Sequence, residues 1–288
     1  MLPYGPAGQK AGLMRAERGT WRYRPVKLTH HGHTVAMRCL PSDDAVRAAA
    51  SRLRTDLAAD GLGKAVAVYF TASAFAGMTF SDLGRNPCDE ITADDLLAVS
   101  LLDITWRPQV VRILLGSQHR ELSSMLAAIP GDLDLWNADD EVAKRIDVLW
   151  DALVAIDGIG TASATKLLAR KRPRLCPISD SVVVKAVRVP GRTWDVLRCL
   201  LQDPASRAEL EALRPAAAAE ASLLRILDVV LWTSHSESAA AHWVRSEAGM
   251  AHDPAPSPAE FQPGNEVVRQ AGGAGLRTDE AASPAVLL

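Results

Sequence analysis

Residues 158–180 read GIGTASATKLLARKRPRLCPISD, and this stretch decides the predicted fold. Gly158 and Gly160 allow the backbone to turn sharply and to approach a neighbour closely, because neither carries a side chain. We expect Ile159 to anchor the turn in the core, while the first N–H groups of the next helix point outward toward an anion. The pattern predicts two helices joined by a tight turn, and a DNA phosphate is the natural anion. The same pattern can simply close a helical hairpin.

The residues before this turn predict the first helix of the hairpin. Between Asp139 and Ile156 apolar residues recur at intervals of three and four, which places them on one helical face. A strong helix start also occurs at Thr92, where Asp95 completes a capping box and Ile91 can pack against Leu96. The apolar stripe before the turn consists of Val142, Ile146, Leu149, Trp150 and Leu153.

Helical periodicity continues on both sides and predicts a mainly α fold, a helical bundle that contains a helix-hairpin-helix. A short strand at Val66–Phe70 is an alternative at one place. We expect an irregular or disordered arm over residues 1–39, an all-α domain over 40–233 and a disordered Ala/Pro/Gly-rich tail over 234–288. A short helix near Ser238–Arg245 is compatible with that tail. Further helices are predicted over Asp43–Leu57, Pro108–Leu115, Arg120–Ile129, Ser181–Val189, Thr193–Leu201, Ala205–Leu213 and Ala219–Trp232.

Composition excludes several classes of protein. Of the 288 residues, 48% are hydrophobic, which is ordinary for a soluble globular protein. No apolar run reaches the roughly 18 residues of a membrane span, and no signal-peptide pattern is present, so we expect a cytoplasmic protein without a membrane partner. The cysteines form no C-x-x-C pair and no phosphate-binding-loop motif occurs, so we expect no cofactor. The four cysteines are Cys39, Cys88, Cys176 and Cys199.

Charge is distributed unevenly along the chain. The formal net charge is −2, yet residues 158–199 contain nine Lys and Arg against the two acids Asp180 and Asp195. That segment therefore carries +7, and the remainder carries −9. Clustered basic charge is typical of a phosphate-binding face, although a solvated helix surface has the same pattern.

Histidines and tryptophans are not assigned binding roles. His30, His31 and His33 resemble a metal-binding tract, but no carboxylate or thiolate partner accompanies them, so no metal site is predicted. Tryptophans beside Leu and Val in helical patterns are expected to pack in the core. These are Trp136, Trp150, Trp194 and Trp232.

The hairpin is followed by residues that match a known pattern. Ser163-Ala164 and Leu167-Leu168 supply a small pair and an apolar pair, and PISDSV follows, which places Asp180 22 positions after Gly158. This arrangement resembles the HhH-GPD DNA glycosylases, which act in DNA repair. The resemblance implies that Asp180 is a catalytic carboxylate, which would stabilise an oxocarbenium-like sugar or orient water. Alternatively, Asp180 caps the following helix or pairs with an arginine.

The sequence departs from that superfamily at two positions near the turn. Asp157 stands where the superfamily usually has proline, and Ala162 stands where its bifunctional members carry a lysine nucleophile. The cysteine ligands of the cluster-containing members are absent as well. If the chain is an enzyme, it therefore resembles a monofunctional N-glycosylase without a lysine nucleophile or an iron–sulfur cluster.

A second resemblance covers about residues 65–233. The phrases ITADDLLAVSLL, DLDLWNADDEV, LLARKRPRLCPISDSVV and SLLRILDVVLW are similar to an uncharacterised actinobacterial family of unknown function. Such membership implies a shared fold and supplies no activity, since a fold does not specify a function.

Three functions follow as hypotheses. The first is a DNA-binding protein that holds the phosphate backbone without reading bases. The second is the divergent glycosylase with Asp180, and the third is a structural or protein-interaction domain that keeps the hairpin for packing. The residues predicted to bind nucleic acid are Gly158, Ile159, Gly160, Thr161, Lys166, Arg170, Lys171, Arg172 and Arg174.

Overall fold

Thirteen α-helices and no strand make up residues 42–250, the part of the chain that this computed structural model describes. The mainly α fold class is thereby confirmed. None of these helices is both long and apolar enough to cross a membrane. In chain order they are α1 (Asp43–Leu57), α2 (Leu62–Thr71), α3 (Thr79–Asp82), α4 (Ala93–Ser100), α5 (Pro108–Arg112), α6 (His119–Ala127), α7 (Asp140–Val154), α8 (Thr161–Lys171), α9 (Ser181–Val187), α10 (Thr193–Gln202), α11 (Pro204–Ala212), α12 (Leu223–His235) and α13 (Ala239–Ala248).

Two apolar cores organise these helices. One is built from α1 and α2 together with α9 to α12, so it joins the two ends of the described chain. The other is built from α3 to α8, and within it α8 packs against α4 and α7. The chain passes from the second core to the first between Ile178 and Val183. Asp180 therefore lies at the junction of the two cores.

The predicted start of α4 is confirmed in detail. The Thr92 hydroxyl accepts from the Asp95 N–H, and the Asp95 carboxylate accepts from the Thr92 N–H at 2.8 Å, which forms the capping box. Ile91 and Leu96 are both buried in the second core, on either side of this cap. A local signal of four residues was enough to predict this start, because both partners lie within one turn.

The alternative strand at Val66–Phe70 is wrong, since these residues belong to α2. Leu62, Val66, Tyr69 and Phe70 are all buried, and their spacing places them on one helical face. The β-branched and aromatic content of the segment favours a strand, but packing against α12 and α13 selects the helix.

The short helix predicted near Ser238–Arg245 is present as α13, and it lies beyond residue 233, where the all-α domain is predicted to end. α12 continues to His235, and α13 packs against α2 and α12. Val244 and Ala248 of α13 meet Ala65 of α2 in a small third apolar cluster. The prolines beyond α13 dominate the composition of the predicted tail, yet this helix lies before them. The rest of the tail and the predicted arm lie outside the described residues, as do Cys39 and the three N-terminal histidines.

Candidate functional site

The connection between α7 and α8 needs glycine at its first predicted position. Gly158 has a φ of +96°, in the region that L side chains rarely adopt. A Cβ there would lie 3.0 Å from Cγ2 of Val110 and 3.2 Å from Cδ of Arg107. The neighbouring Ile159 is buried in the second core, as predicted. Gly158 therefore serves the fold, both by its backbone angle and by the close approach of residues 107–110.

Gly160 is different, because nothing within the described fold requires glycine there. Its φ of −98° and ψ of 179° are open to any residue, and a Cβ on it would meet no atom within 4 Å. Gly160 is the N-cap of α8 and is exposed. The surface above the first turn of α8 is therefore open to a close approach from outside.

The backbone N–H groups in the first turn of α8 are available on this surface. The Gly160 N–H donates to Oγ of Ser163 at 3.0 Å. Among residues 42–250, none accepts a hydrogen bond from the N–H groups of Thr161, Ala162 and Ser163. These groups also carry the positive end of the dipole of an eleven-residue helix. The arrangement can hold an anionic oxygen.

One exposed ion pair lies beside this helix start. Nη1 of Arg107 is 3.7 Å from Oδ2 of Asp157, and both side chains are largely exposed. Nε2 of Gln109 donates to the same Asp157 oxygen at 3.0 Å. The local charge from side chains is therefore balanced, and the helix amides supply the positive potential.

The basic residues at the end of α8 are not on the surface, which contradicts their predicted role. The side chains of Arg170, Lys171 and Arg172 are fully or almost fully buried, so they cannot reach a phosphate outside. Nε of Arg170 donates to Oδ1 of Asp95 at 3.2 Å, and Nζ of Lys171 donates to Oδ2 at 2.7 Å. Burial lowers the pKa of Lys171, and its hydrogen bond to Asp95 opposes that shift. The acid that caps α4 thus also binds two cations of α8.

Arg172 is engaged mainly by backbone carbonyl groups. Its Nη2 donates to the carbonyl oxygens of Leu126, in the last turn of α6, and of Ile129, just beyond that helix, at 2.5 Å and 2.8 Å. Nη1 donates to the carbonyl of Cys88, and Nη2 also reaches Oδ1 of Asp89 at 3.1 Å. The guanidinium therefore supplies a donor to the Ile129 carbonyl at the end of α6 and a second donor to the Leu126 carbonyl, which also accepts from the Ile129 N–H.

The remaining two predicted cations are also occupied. Nζ of Lys166 donates to the carbonyl oxygen of Leu102 at 2.8 Å, and the side chain is mostly buried. Arg174 is 49% exposed and forms two hydrogen bonds to the carboxylate of Asp134, at 2.8 Å and 2.7 Å. The structure therefore brings Gly160 and Thr161 to an open surface and places the predicted basic residues in structural contacts.

Asp180 caps α9, as one alternative predicted. Its Oδ1 accepts from the N–H groups of Val182 and Val183, at 3.0 Å and 3.1 Å. Its Oδ2 faces Nζ of Lys166 at 3.7 Å, and the side chain is 21% exposed. One oxygen of the carboxylate is therefore committed to the helix, and the other faces a cation.

A second buried pair lies near Asp180 and was missed by sequence reasoning. Nη1 of Arg225 binds Oδ2 of Asp228 at 2.5 Å, and Nη2 donates to the hydroxyl of Tyr69 at 2.8 Å. Burial raises the pKa of Asp228; Arg225 opposes this shift and Asp180 adds to it. The three-residue spacing of Arg225 and Asp228 in α12 was the only available signal, and exposed helical pairs have the same spacing.

A pocket on another side of α8 was also missed. It has a volume of about 290 Å³ and lies between α7, α8, α9 and the start of α10. Thr161, the first residue of α8, is one of its walls, and Asp147 of α7 is another. Burial, with a smaller contribution from Asp151, raises the pKa of Asp147 to about 7. Trp150 and Trp194 line the same pocket, so these predicted core residues also form part of its surface.

Comparison with known proteins identifies a family and no activity. No curated protein and no solved structure matches the chain. The model of a family of unknown function (DUF6308) matches residues 62–235, which is more than half of the 288 residues. The resemblance to DNA glycosylases therefore stays a prediction. The chain belongs to the DUF6308 family.

Proposed function

We propose that this protein binds the phosphate backbone of DNA without reading its sequence, through a helix-hairpin-helix formed by α7, residues 155–160 and α8. The observation that carries the proposal is the open N-terminus of α8. Gly160 leaves space above the helix, and the N–H groups of Thr161 and Ala162 have no acceptor among residues 42–250. A phosphate oxygen carries negative charge and can accept hydrogen bonds from two such neighbouring N–H groups.

The choice of N-cap residue supports this proposal. A side chain that caps a helix accepts hydrogen bonds from its first N–H groups and occupies the place an anion would take. At the start of α8 a glycine stands instead, so those groups are left for an external acceptor. Seven of the thirteen helices in residues 42–250 begin with a side-chain cap, and α8 is among the six that do not. The seven caps are Ser42, Thr92, Asp139, Asp180, Asp203, Ser222 and Ser238.

The source of positive charge differs from the basic loop that the sequence predicted. Arg107 lies against Gly158 and is largely exposed, so its guanidinium can turn from Asp157 to a phosphate. An exposed pair of this kind is worth little, so exchanging partners costs about 1 kcal/mol or less. Residues 1–41 also contain seven Lys and Arg and a single acid, Glu17. Arg107 and the basic residues of segment 1–41 would both bind the phosphate backbone of DNA. Such contacts carry no information about the base sequence.

Titration of the full chain with labelled duplex DNA tests the proposal. We expect binding that weakens steeply with salt and is equal for two duplexes of unrelated sequence, because neutralised phosphates release counterions. Absence of binding at low salt would instead favour the structural or protein-interaction domain. A strong preference for one duplex would contradict backbone recognition.

A divergent monofunctional DNA glycosylase is the second candidate. Its support is the Oδ2 atom of Asp180, which is not used by the helix cap and lies in a partly exposed side chain. A carboxylate in this state can stabilise a developing oxocarbenium ion. The test is release of a free base from a panel of lesion-containing duplexes. Asp180→Asn should abolish release while DNA binding survives, because asparagine keeps the cap.

A further inference from the structure

The pocket between α7 and α10 combines apolar walls with a few polar groups. Its volume of about 290 Å³ suits a small molecule of roughly one ring. The indoles of Trp150 and Trp194 lie on its walls, and the hydroxyl-bearing side chains come from α8, the loop before α9 and the start of α10. The apolar walls are Ile146, Trp150, Val184 and Trp194, and the hydroxyl groups belong to Thr161, Thr165, Ser179 and Thr193.

Asp147 is the unusual group in this pocket. Its carboxylate lines the pocket, and no residue in the range 42–250 donates a hydrogen bond to it. Asp147 is partly buried, and a carboxylate that loses part of its hydration is stabilised by a cation or a hydrogen-bond donor. Burial raises the pKa of Asp147 to about 7, which expresses the cost of holding a charge there without a counterion.

The other charges around the pocket do not compensate Asp147. On its own helix, Asp151 is one turn away and repels it. From the start of α10, Arg192 lines the pocket, but its guanidinium binds Oδ2 of Asp195 and Oδ1 of Asp43, each at 2.7 Å. The walls supplied by α8 and α9 carry hydroxyl and apolar groups. The pocket therefore has an excess of negative charge.

We propose that this pocket binds a small organic cation, an ammonium or guanidinium group on an aromatic or apolar stem, with the Asp147 carboxylate as its counterion. The indoles of Trp150 and Trp194 suit the stem, and aromatic rings also attract cations. The hydroxyl groups of Thr161 and Ser179 can accept the remaining N–H groups of the ligand. This site shares Thr161 with the proposed DNA contact, but it uses the side-chain hydroxyl group of that residue and a carboxylate, whereas the DNA contact uses backbone amides and an anion.

Binding of such a cation must be linked to the protonation of Asp147. The cation binds the ionised carboxylate, so at neutral pH, where about half of the Asp147 groups are protonated, binding should release about half a proton. Affinity should fall about tenfold between about pH 8 and about pH 6, since the ionised fraction falls by that factor. A neutral ligand of the same shape should show neither effect.

Calorimetric titration of the full chain with benzylamine and with phenylguanidine tests this, and benzyl alcohol serves as the neutral counterpart. We expect both cations to bind more tightly than the alcohol, with proton release that is visible when buffers of different ionisation enthalpy are compared. Asp147→Asn should remove the pH dependence and weaken binding at least about tenfold. Asp60→Asn, the same substitution at an exposed loop position, should leave binding unchanged.

Three results would overturn the proposal. One is failure of both cations to bind at millimolar concentration, and another is equal affinity for benzyl alcohol. The third is unchanged binding of benzylamine by a folded Asp147→Asn variant. Because none of these measurements uses DNA, their outcome does not depend on the nucleic-acid proposal.

Discussion

Nζ of Lys171 lies 2.7 Å from Oδ2 of Asp95, and both side chains are excluded from solvent. The same carboxylate accepts hydrogen bonds from Nε of Arg170 and from the N–H of Thr92. A residue that begins α4 thus neutralises two cations at the end of α8. In the sequence, Arg170 and Lys171 suggest a DNA-binding loop. In the structure they instead form buried ion pairs that connect α8 to α4.

Removing the Asp95 carboxylate from these ion pairs should destabilise the fold strongly. Asp95→Asn leaves Arg170 and Lys171 buried without a counterion, and we expect a loss of about 3–5 kcal/mol in the free energy of unfolding. Urea denaturation of the variant and the unmodified chain measures this. The exposed Asp60→Asn substitution is the control, and equal stability of the two variants would show that the network is not structural.

The two arginines of the predicted basic loop should differ in their effect on stability. Arg172→Met leaves the Ile129 carbonyl without its donor in the interior and removes the ion pair with Asp89 and the bond to the Cys88 carbonyl, which should cost about 3 kcal/mol or more. Arg174→Met removes only a partly exposed pair with Asp134 and should cost less than about 1 kcal/mol. The same denaturation experiment compares them. Similar losses in both variants would contradict the burial of Arg172.

Asp180 should contribute to stability as a helix cap. Asp180→Ala removes the acceptor of two N–H groups at the start of α9 and should lower the free energy of unfolding by about 1 kcal/mol. Asp180→Asn keeps that acceptor and should restore most of the loss. If the alanine variant is as stable as the unmodified chain, the Asp180 cap contributes nothing to the free energy of unfolding.

Asp147 should make stability depend on pH. Its pKa is raised to about 7 in the folded state from an ordinary value of 3.8, so between these values the folded chain binds more protons than the unfolded chain. Stability therefore falls as the pH rises through that window and stays lower above it. Asp147→Asn should match the unmodified chain near about pH 4 and exceed its stability above about pH 7.

Urea denaturation at several pH values measures that difference. Asp60→Asn, at an exposed position, should give a difference from the unmodified chain that does not change with pH. A constant difference for Asp147→Asn would mean that its carboxyl group is not perturbed by burial.

Local signals in the sequence predicted the elements better than the site. The cap at Thr92, the apolar stripe of α7 and the turn at Gly158 each depend on residues within one or two turns. They appear in the structure close to the predicted positions. The predicted boundary at residue 233 depended on the composition of the tail, and the short helix predicted beyond it is α13.

The fate of the basic residues could not be predicted in the same way. Arg170 and Lys171 find their counterion 75 and 76 positions earlier, at Asp95, and Arg172 finds carbonyl partners at Leu126 and Ile129, around the end of α6. Nothing in residues 158–180 distinguishes a cation on a solvated surface from one that joins two distant helices. The pocket around Asp147 was missed for the same reason, since its walls come from four separate helices.

The open start of α8 allows the DNA-binding proposal to be separated from folding. Gly160→Asp introduces a side chain into open space at an N-cap, where aspartate is favoured, so stability should be unchanged or raised. The new carboxylate would accept from the same N–H groups and repel a phosphate. Gly131→Asp is a matched control, because that glycine is exposed, has no atom near its Cβ position and precedes α7. It adds the same charge at the opposite end of α7 from Gly160.

The most direct measurement is the salt dependence of duplex DNA binding by these two variants and the unmodified chain. We expect Gly160→Asp to bind about tenfold more weakly at low salt, with the slope of log affinity against log salt reduced by about 1, because one phosphate contact is lost. Gly131→Asp should bind like the unmodified chain. If Gly160→Asp folds normally and keeps the full affinity and slope, the α8 amides do not hold a phosphate, and the proposed function is wrong.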